Sequence, residues 1–386
     1  MTIQGLCHAP LSACITAVAG LCLSAAALAD LPVEELSVVP AVTAKNRAYI
    51  SDVAINHIAD GKLHVVDTDT GTYLGVIGSG FIGQVTYSPD GSEILLATGY
   101  LSRGQRGERT DILEVWDANT LSFKYEIEIS SNRAMALNYR NLIRTSADGR
   151  WVFVQNATPA TSVTVVDLQE KKMVSEIPTP GCWGIFPPAG SSDRFATLCG
   201  DGTVATVILD DSGNAASRTI SAKIFDADKD AWFIQGEQDG DIYRFVSFLG
   251  NVGVINVGGD TATLVETWPL VKSSEDRKQS WRPGGYQPLA VHPGSNRLYV
   301  SMHPKGAEGS HKTPAKEIWA FDLKTKKRVA RLPGHAAVAL TTSSSGKRVL
   351  AIDIEKLNLV AIEIGAKPKS RVLTQVGEIP VQVDSN

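Results

Sequence analysis

Seven copies of one short pattern run along this chain of 386 residues and leave little choice of fold. Each copy is an apolar alternation ending near an acidic residue, then a turn, then a second alternation. The pattern reads KLHVVDTDTGTYLGVI from Lys62, ILEVWDANTLSFKYEIEI from Ile112 and SVTVVDLQEKKMVSEI from Ser162. It returns from Thr203, Val252, Glu317 and Asn358, and Asp67, Asp117 and Asp167 stand 50 residues apart. Alternation of this kind marks half-buried strands, and self-similarity at this period marks propeller blades. One strand pair cannot bury both of its faces alone. Stacking such units around an axis buries them against neighbours and leaves only short edges. Each copy also has an upstream partner strand, such as RAYISDV from Arg47, EILLATGY from Glu93 and RLYVSMH from Arg297. Turn signals precede several of these, including Ser88-Pro89-Asp90-Gly91, Ala147-Asp148-Gly149 and Ser345-Gly346. The pattern predicts an all-β, seven-bladed β-propeller that fills residues 30–386 as a single domain. A pair of β-sandwiches is the alternative, but sandwiches rarely repeat at this period.

The first 29 residues are unlike the rest, with no Lys, Arg, Asp or Glu. An apolar stretch from Leu11 to Leu28 ends at Ala27-Leu28-Ala29, a small-residue cleavage site before Asp30. This reads as a secretory signal peptide over residues 1–29, although its n-region lacks Lys and Arg; an uncleaved anchor is the alternative. No later segment is long and apolar enough to span a bilayer. A formal net charge of −4, with no basic face suited to tracking phosphates, argues against nucleic acid as a partner.

Cysteine usage agrees with export. Cys7, Cys14 and Cys22 would leave with the leader, and Cys182 and Cys199 remain. Sequential antiparallel elements could bring these two into bonding distance. In an oxidising compartment a disulfide is expected, stabilising by roughly 2–4 kcal/mol. Two buried free thiols are the alternative. Two cysteines without further ligands do not make a zinc site, so no metal is expected.

The search for chemistry on this chain is largely negative. HExxH, GxSxG, a Walker loop and a dinucleotide fingerprint following a strand are all missing. No histidine pairs with another at ligand spacing, and His292 and His303 sit at a turn and a strand end, where hydrogen-bonded structural roles are expected. No catalytic residue is therefore assigned to this chain. Three segments break the repeat. Residues 102–111 are charged and glycine-bearing, and read as a solvated loop or a partner contact. Trp281-Arg282-Pro283-Gly284-Gly285-Tyr286 places two aromatics and an Arg around a Pro-Gly-Gly turn, after a polar helix-like stretch from Ser273 to Gln279. Trp, Tyr and Arg are the residues that anchor interfaces; a structured inter-blade loop is the other reading. A third insert, from His303 to Pro314, holds Glu308-Gly309-Ser310-His311-Lys312. Long loops on a propeller face are where function collects. Trp281, Arg282, Tyr286, His311 and Lys312 are the expected interface residues.

At these loops the chain resembles the heavy (α) subunit of quinoprotein amine dehydrogenases, the methylamine and aromatic amine dehydrogenases. The matching stretches are RGERTDILEVWDANTL from Arg106, QNATPATSVTVVDL from Gln155, GCWGIFP from Gly181 and TLCGDG from Thr197. WRPGGYQ from Trp281 and EGSHKTPAKEIWAFDLKTKKRVARLPG from Glu308 complete the set. The ATPATS and EGSHK segments look closer to the aromatic (aralkylamine) branch. The resemblance implies a periplasmic α2β2 assembly with a light (β) subunit. That subunit carries tryptophan tryptophylquinone, made from two of its own tryptophans, and the catalytic Asp. Primary amine becomes aldehyde and ammonia, and electrons pass to a cupredoxin of the azurin or amicyanin type. The heavy chain docks the light subunit and helps shape the substrate channel. Cys182 and Cys199 match the family's heavy-chain disulfide. An aromatic gate residue of the family corresponds to the stretch Asp52-Val53-Ala54-Ile55-Asn56-His57, which has no Phe; Ile55 or His57 takes its place. A plain surface hairpin is the other reading of that stretch.

Two other function classes fit the repeats. A stand-alone lactonase would need convergent acid and base groups at the axis, whereas acidic residues recurring in every repeat, such as Asp67, Asp117, Asp167 and Asp322, suit turn capping. An exported propeller that only binds, or a heavy chain without its light-chain partner, would look nearly the same in sequence.

Overall fold

The computed structural model describes residues 41–385, apart from 43, 136, 137 and 366. The expected leader, with its three cysteines, lies outside the described residues.

The described chain is an all-β propeller. Five separate four-stranded antiparallel blades and one eight-stranded sheet surround a common axis. In four of the four-stranded blades the strands follow chain order outward. The first strands, such as Gln84–Tyr87 and Cys182–Phe186, are almost wholly buried. The last, such as Ala215–Ile220 and Thr263–Pro269, are mostly exposed. The innermost strands of neighbouring blades run the same way, as the parallel bridge between Gln287 and Ala339 records. The propeller therefore has an upper face, where the innermost strands begin, and a lower face, where they end.

The blade count corrects the sequence expectation of seven separate blades. The sixth and seventh repeats share one sheet, because the 16-residue strand Lys327–Thr342 runs through the expected boundary. Its first part pairs with Ala315–Asp322 and its second with Arg348–Asp353. Positive φ at His335 and Ala336, with register shifts on either side, bends the strand without ending it.

Closure is made between the two ends of the described chain. Pro380–Ser385 forms the innermost strand beside Arg47–Asp52, followed outward by Gly61–Asp67 and Tyr73–Gly80. This joins the ends by a ladder of hydrogen bonds and removes the free edge a linear stack would leave. The core is a ring of inter-blade layers. One layer joins Val246, Val252 and Trp268 to Leu298, Trp319 and Phe321; another joins Ala48, Ile50 and Val66 to Leu350, Ile352 and Leu359. Fully burying one such aliphatic side chain contributes about 1.5–3 kcal/mol.

On the lower face the repeats turn alike. Asp117 Oδ1 accepts the Asn119 and Thr120 backbone N–H at 2.8 Å each. Asp167 does the same for Gln169 and Glu170, and Asp322 for Thr325. Four residues after Asp67, Asp117, Asp167 and Asp322 stand Gly71, Leu121, Lys171 and Lys326, all at positive φ. The recurring acids cap turns, as their spacing predicts.

Candidate functional site

The long segments gather on the upper face. There the chain passes from each outermost strand to the next innermost one, and there also the second strand of a blade turns into the third, so length can be added beyond the ladder ends. Residues 220–237, 269–289 and 303–315 meet near the axis around a cavity of about 340 Å³. Its walls are Tyr139, Trp232, Phe233, Phe248 and Tyr286, and Glu308, His311 and Lys312 of the insert form its rim. Such a hollow, mostly apolar with a few polar groups, has the character of a binding site.

Local chemistry fixes these walls. Ser273 caps the short helix Ser274–Lys278 by accepting the Asp276 N–H. Asp276 in turn takes Arg328 at 2.8 Å and tethers the segment to the blade. Gly285 lies at φ +113, and a Cβ there would come within 2.7 Å of the Val338 carbonyl, so only glycine fits. Its N–H donates to the His311 carbonyl at 3.0 Å, while Tyr286 N–H donates to Val338 O at 2.7 Å. The Pro-Gly-Gly turn is thus pinned between the insert and an innermost strand. Trp232 stacks between Phe225 and Phe245 at centroid distances of 4.8 and 5.1 Å. Burial raises the Tyr139 phenol above its usual value, so the ring stays neutral. Gln235, 1% exposed, lines the cavity, and its amide nitrogen has no hydrogen-bond partner.

The five expected interface residues divide. Tyr286, His311 and Lys312 line the cavity. Arg282 lies beside it, its guanidinium 4.5 Å over the Phe248 ring. Trp281 is 5% exposed and packs on Trp319 at 5.1 Å within the inter-blade core, so its indole supports the fold. Tyr139, Trp232, Phe233 and Phe248 were not singled out by sequence. The Trp-Phe pair at 232–233, in a stretch that belongs to no repeat, was the available signal.

Ile55 and His57 lie elsewhere on the upper face, in the exposed one-turn helix Ile55–His57 of the first blade. They are not among the residues lining the cavity. His57 Nδ1 is 3.2 Å from Glu378. Beneath this turn Asp52, 2% exposed, accepts the backbone N–H groups of Ala54 at 3.0 Å and of Glu378 and Ile379 at 2.8 Å each. Burial alone would raise its carboxyl; His64, 3.6 Å away, and these N–H donors outweigh that and hold it far below the usual range.

The charged loop is only partly solvated. Residues 102–108 are exposed, but Asp111 is buried and accepts Arg133 Nε at 2.9 Å. Arg133 also donates to the carbonyls of Ile82 and Phe81. Cys182 and Cys199 face each other as cross-strand partners and form the disulfide.

A second cavity, of about 300 Å³, lies at the lower end of the axis. Arg140 crosses it to Glu237 and to Asp384 of the closing strand. Burial raises the Glu237 carboxyl against the pull of Arg140. Both axial carboxylates are thus engaged by one guanidinium. Among the described residues no group of three or more His, Cys, Asp or Glu is placed to hold a metal ion, and no helix is long and apolar enough to cross a membrane.

The family model for the methylamine dehydrogenase heavy chain matches residues 44–384. The methylamine dehydrogenase heavy chain of Methylobacillus flagellatus is 25% identical over 338 residues, covering 86% of this chain and 83% of that one. That of Paracoccus versutus is 27% identical over 339 residues, covering 86% and 78%. The periplasmic gluconolactonase of Pseudomonas aeruginosa superimposes with a TM-score of 0.59 over 88% of this chain and 98% of that chain. At 13% identity that likeness speaks for the fold alone.

Proposed function

The chain belongs to the methylamine dehydrogenase heavy-chain family, and from that premise we propose that it is the non-catalytic heavy subunit of a periplasmic, tryptophan tryptophylquinone-dependent amine dehydrogenase. The match over residues 44–384 carries this reading. In it, the light subunit holds the quinone, and two copies of each chain assemble as α2β2. The quinone supplies the two-electron oxidation of a primary amine to aldehyde and ammonia, and a cupredoxin takes the electrons.

This chain's residues suit a surround for that group rather than a host. The contacting pair Trp281 and Trp319 is spent on the core: Trp281 Nε1 donates to Gln279 and Trp319 Nε1 to Glu317, at 2.9 and 2.7 Å. The upper face would dock the light subunit through Arg282, Tyr286, His311 and Lys312. The turn bearing Ile55 and His57 would border the substrate channel. Bulky aralkylamines are the proposed substrates, since an aliphatic Ile55 leaves more room than an aromatic gate. The relatives' own name favours methylamine as the second reading.

The test is a mild pull-down of the tagged chain from its native host, followed by a visible spectrum and an amine-dependent dye-reduction assay. A small co-purifying chain with quinone absorbance supports the subunit role, and the ratio of tyramine to methylamine turnover separates the branches. A lone, colourless propeller would instead favour a scaffold.

A further inference from the structure

Two stretches distant in sequence are tied together on the upper face by one carboxylate. Asp52 ends the second strand of the first blade, and its side chain accepts N–H groups from both sides of the ring's seam. Ala54 N–H comes from the segment leading into the turn Ile55–His57. Glu378 and Ile379 N–H come from the segment leading into the closing strand Pro380–Ser385. The seam is crowded around this group: a Cβ at Gly377, at φ +61, would fall 2.4 Å from Asp52 Oδ2. Ala54 sits at φ 41, a left-handed conformation a β-carbon disfavours, so the turn needs an outside hold to persist. His64, 7% exposed, backs the carboxylate at 3.6 Å and is fixed in turn by Tyr73 Oη at 2.7 Å from its Nδ1. An exposed tie, His57 to Glu378 at 3.2 Å, repeats the same connection at the rim.

A buried acceptor that satisfies three backbone donors is costly to disturb, since each donor would be left without a partner. Three donors converging on one carboxylate is also more than ring closure needs, because the ladder between Arg47–Asp52 and Pro380–Ser385 already joins the ends. What the carboxylate adds is a fixed height for the turn above the seam. We propose that Asp52 is a positioning residue that fixes the turn Ile55–His57 against the closing strand and thereby sets the clearance past which the amine reaches the partner's quinone. The inference rests on reading that turn as the border of the substrate channel. Asp52 touches no substrate; it acts through Ile55 and His57. Freed from it, the turn samples positions that narrow the opening, which penalises a bulky amine more than a small one.

The experiment uses the assembled heavy–light complex carrying Asp52→Asn, which keeps the shape but sets an amide N–H₂ against backbone donors. The kcat/KM for tyramine relative to that for methylamine should fall roughly two- to tenfold, the size implied by losing one hydrogen bond. The kcat at saturation and the quinone spectrum should not move, and Asp52→Glu should restore part of the ratio; a merely structural role would not split the two amines. An unchanged ratio in a normally assembled variant overturns the inference. Ile55→Phe, run in parallel, keeps the two layers apart. A ratio that falls with Ile55→Phe but not with Asp52→Asn sinks the role of Asp52 and leaves the channel border standing. A ratio indifferent to both removes the border, and the inference with it. Should Asp52→Asn not assemble, Glu378→Ala removes only the exposed tie to His57 and should shift the ratio in the same direction by a smaller factor; no shift there overturns the proposal equally.

Discussion

The two faces of this propeller are built on opposite rules. The lower face repeats itself: Asp67, Asp117, Asp167 and Asp322 each cap a tight turn with a positive-φ residue four places on. The upper face does not repeat. It carries the long segments, the aromatic cavity, the disulfide and the knot at Asp52. The difference teaches where a repeat fold can hold function. The tight lower-face turns return the chain at once in register, and that leaves little freedom. The upper-face loops, both the passages between blades and the insert 303–315 that joins two paired strands of one sheet, run beyond the ladder ends, and that leaves room for insertion.

The contrast can be broken most sharply at Trp281. It lies on an upper-face segment, yet its indole is core, so Trp281→Ala should cost the isolated chain about 3–5 kcal/mol, read by denaturant unfolding. Normal stability with lost light-subunit recovery would return Trp281 to the interface. Next in size is the upper-face disulfide. Replacing Cys182 and Cys199 by Ser should cost roughly 2–4 kcal/mol by releasing loop entropy to the unfolded chain, while the assembled complex keeps its quinone spectrum. A bleached spectrum in intact complex would contradict this.

On the lower face, Asp117→Ala should cost about 0.5–1.5 kcal/mol, the worth of a turn hydrogen bond, with little change in light-subunit binding. The same turns set an acid limit. Backbone N–H donors, that of Thr120 foremost, hold the Asp117 carboxyl below its ordinary value. The hydroxyl of Ser88 and the Ser92 N–H hold Asp90 down at about 2. A depressed folded-state value stabilises above the unfolded pKa and is lost as pH falls through the folded one. Thermal stability should therefore drop between about pH 4 and pH 2, and Asp90→Asn should make that drop shallower; parallel curves would remove Asp90 from the cause. The smallest effect on stability belongs to the cavity rim. Lys312→Ala should stay within about 0.5 kcal/mol of the parent yet lower recovery of the light subunit. Full recovery would take Lys312 off the docking surface.

How far each part was legible follows from the range of its interactions. The second strand of every blade was readable, as Arg297–His303 and Arg348–Asp353 show, because period-two alternation is written within one element. The Asp turns were readable because donor and acceptor lie within three residues. The cavity was half readable. Tyr286, His311 and Lys312 stood out as inserts, but Tyr139, Trp232 and Phe248 come from three separate segments, and nothing local says that they meet. Trp281 looked like an anchor because its sequence neighbours are loop residues; its packing partner Trp319 lies 38 residues on (319 − 281).

The sequence by itself determined the propeller, its strand repeats and the capped lower turns, because each is decided by alternation and by hydrogen bonds between near neighbours. Tertiary structure decided the rest. It placed the end of the chain innermost in the first blade, merged the last two repeats through Lys327–Thr342, and sank Trp281 into the core. It also brought Asp52 to the N–H groups of Glu378 and Ile379, more than 300 residues away. These outcomes depend on which surfaces remain unburied once the blades have stacked, and that quantity exists only when the whole ring has closed.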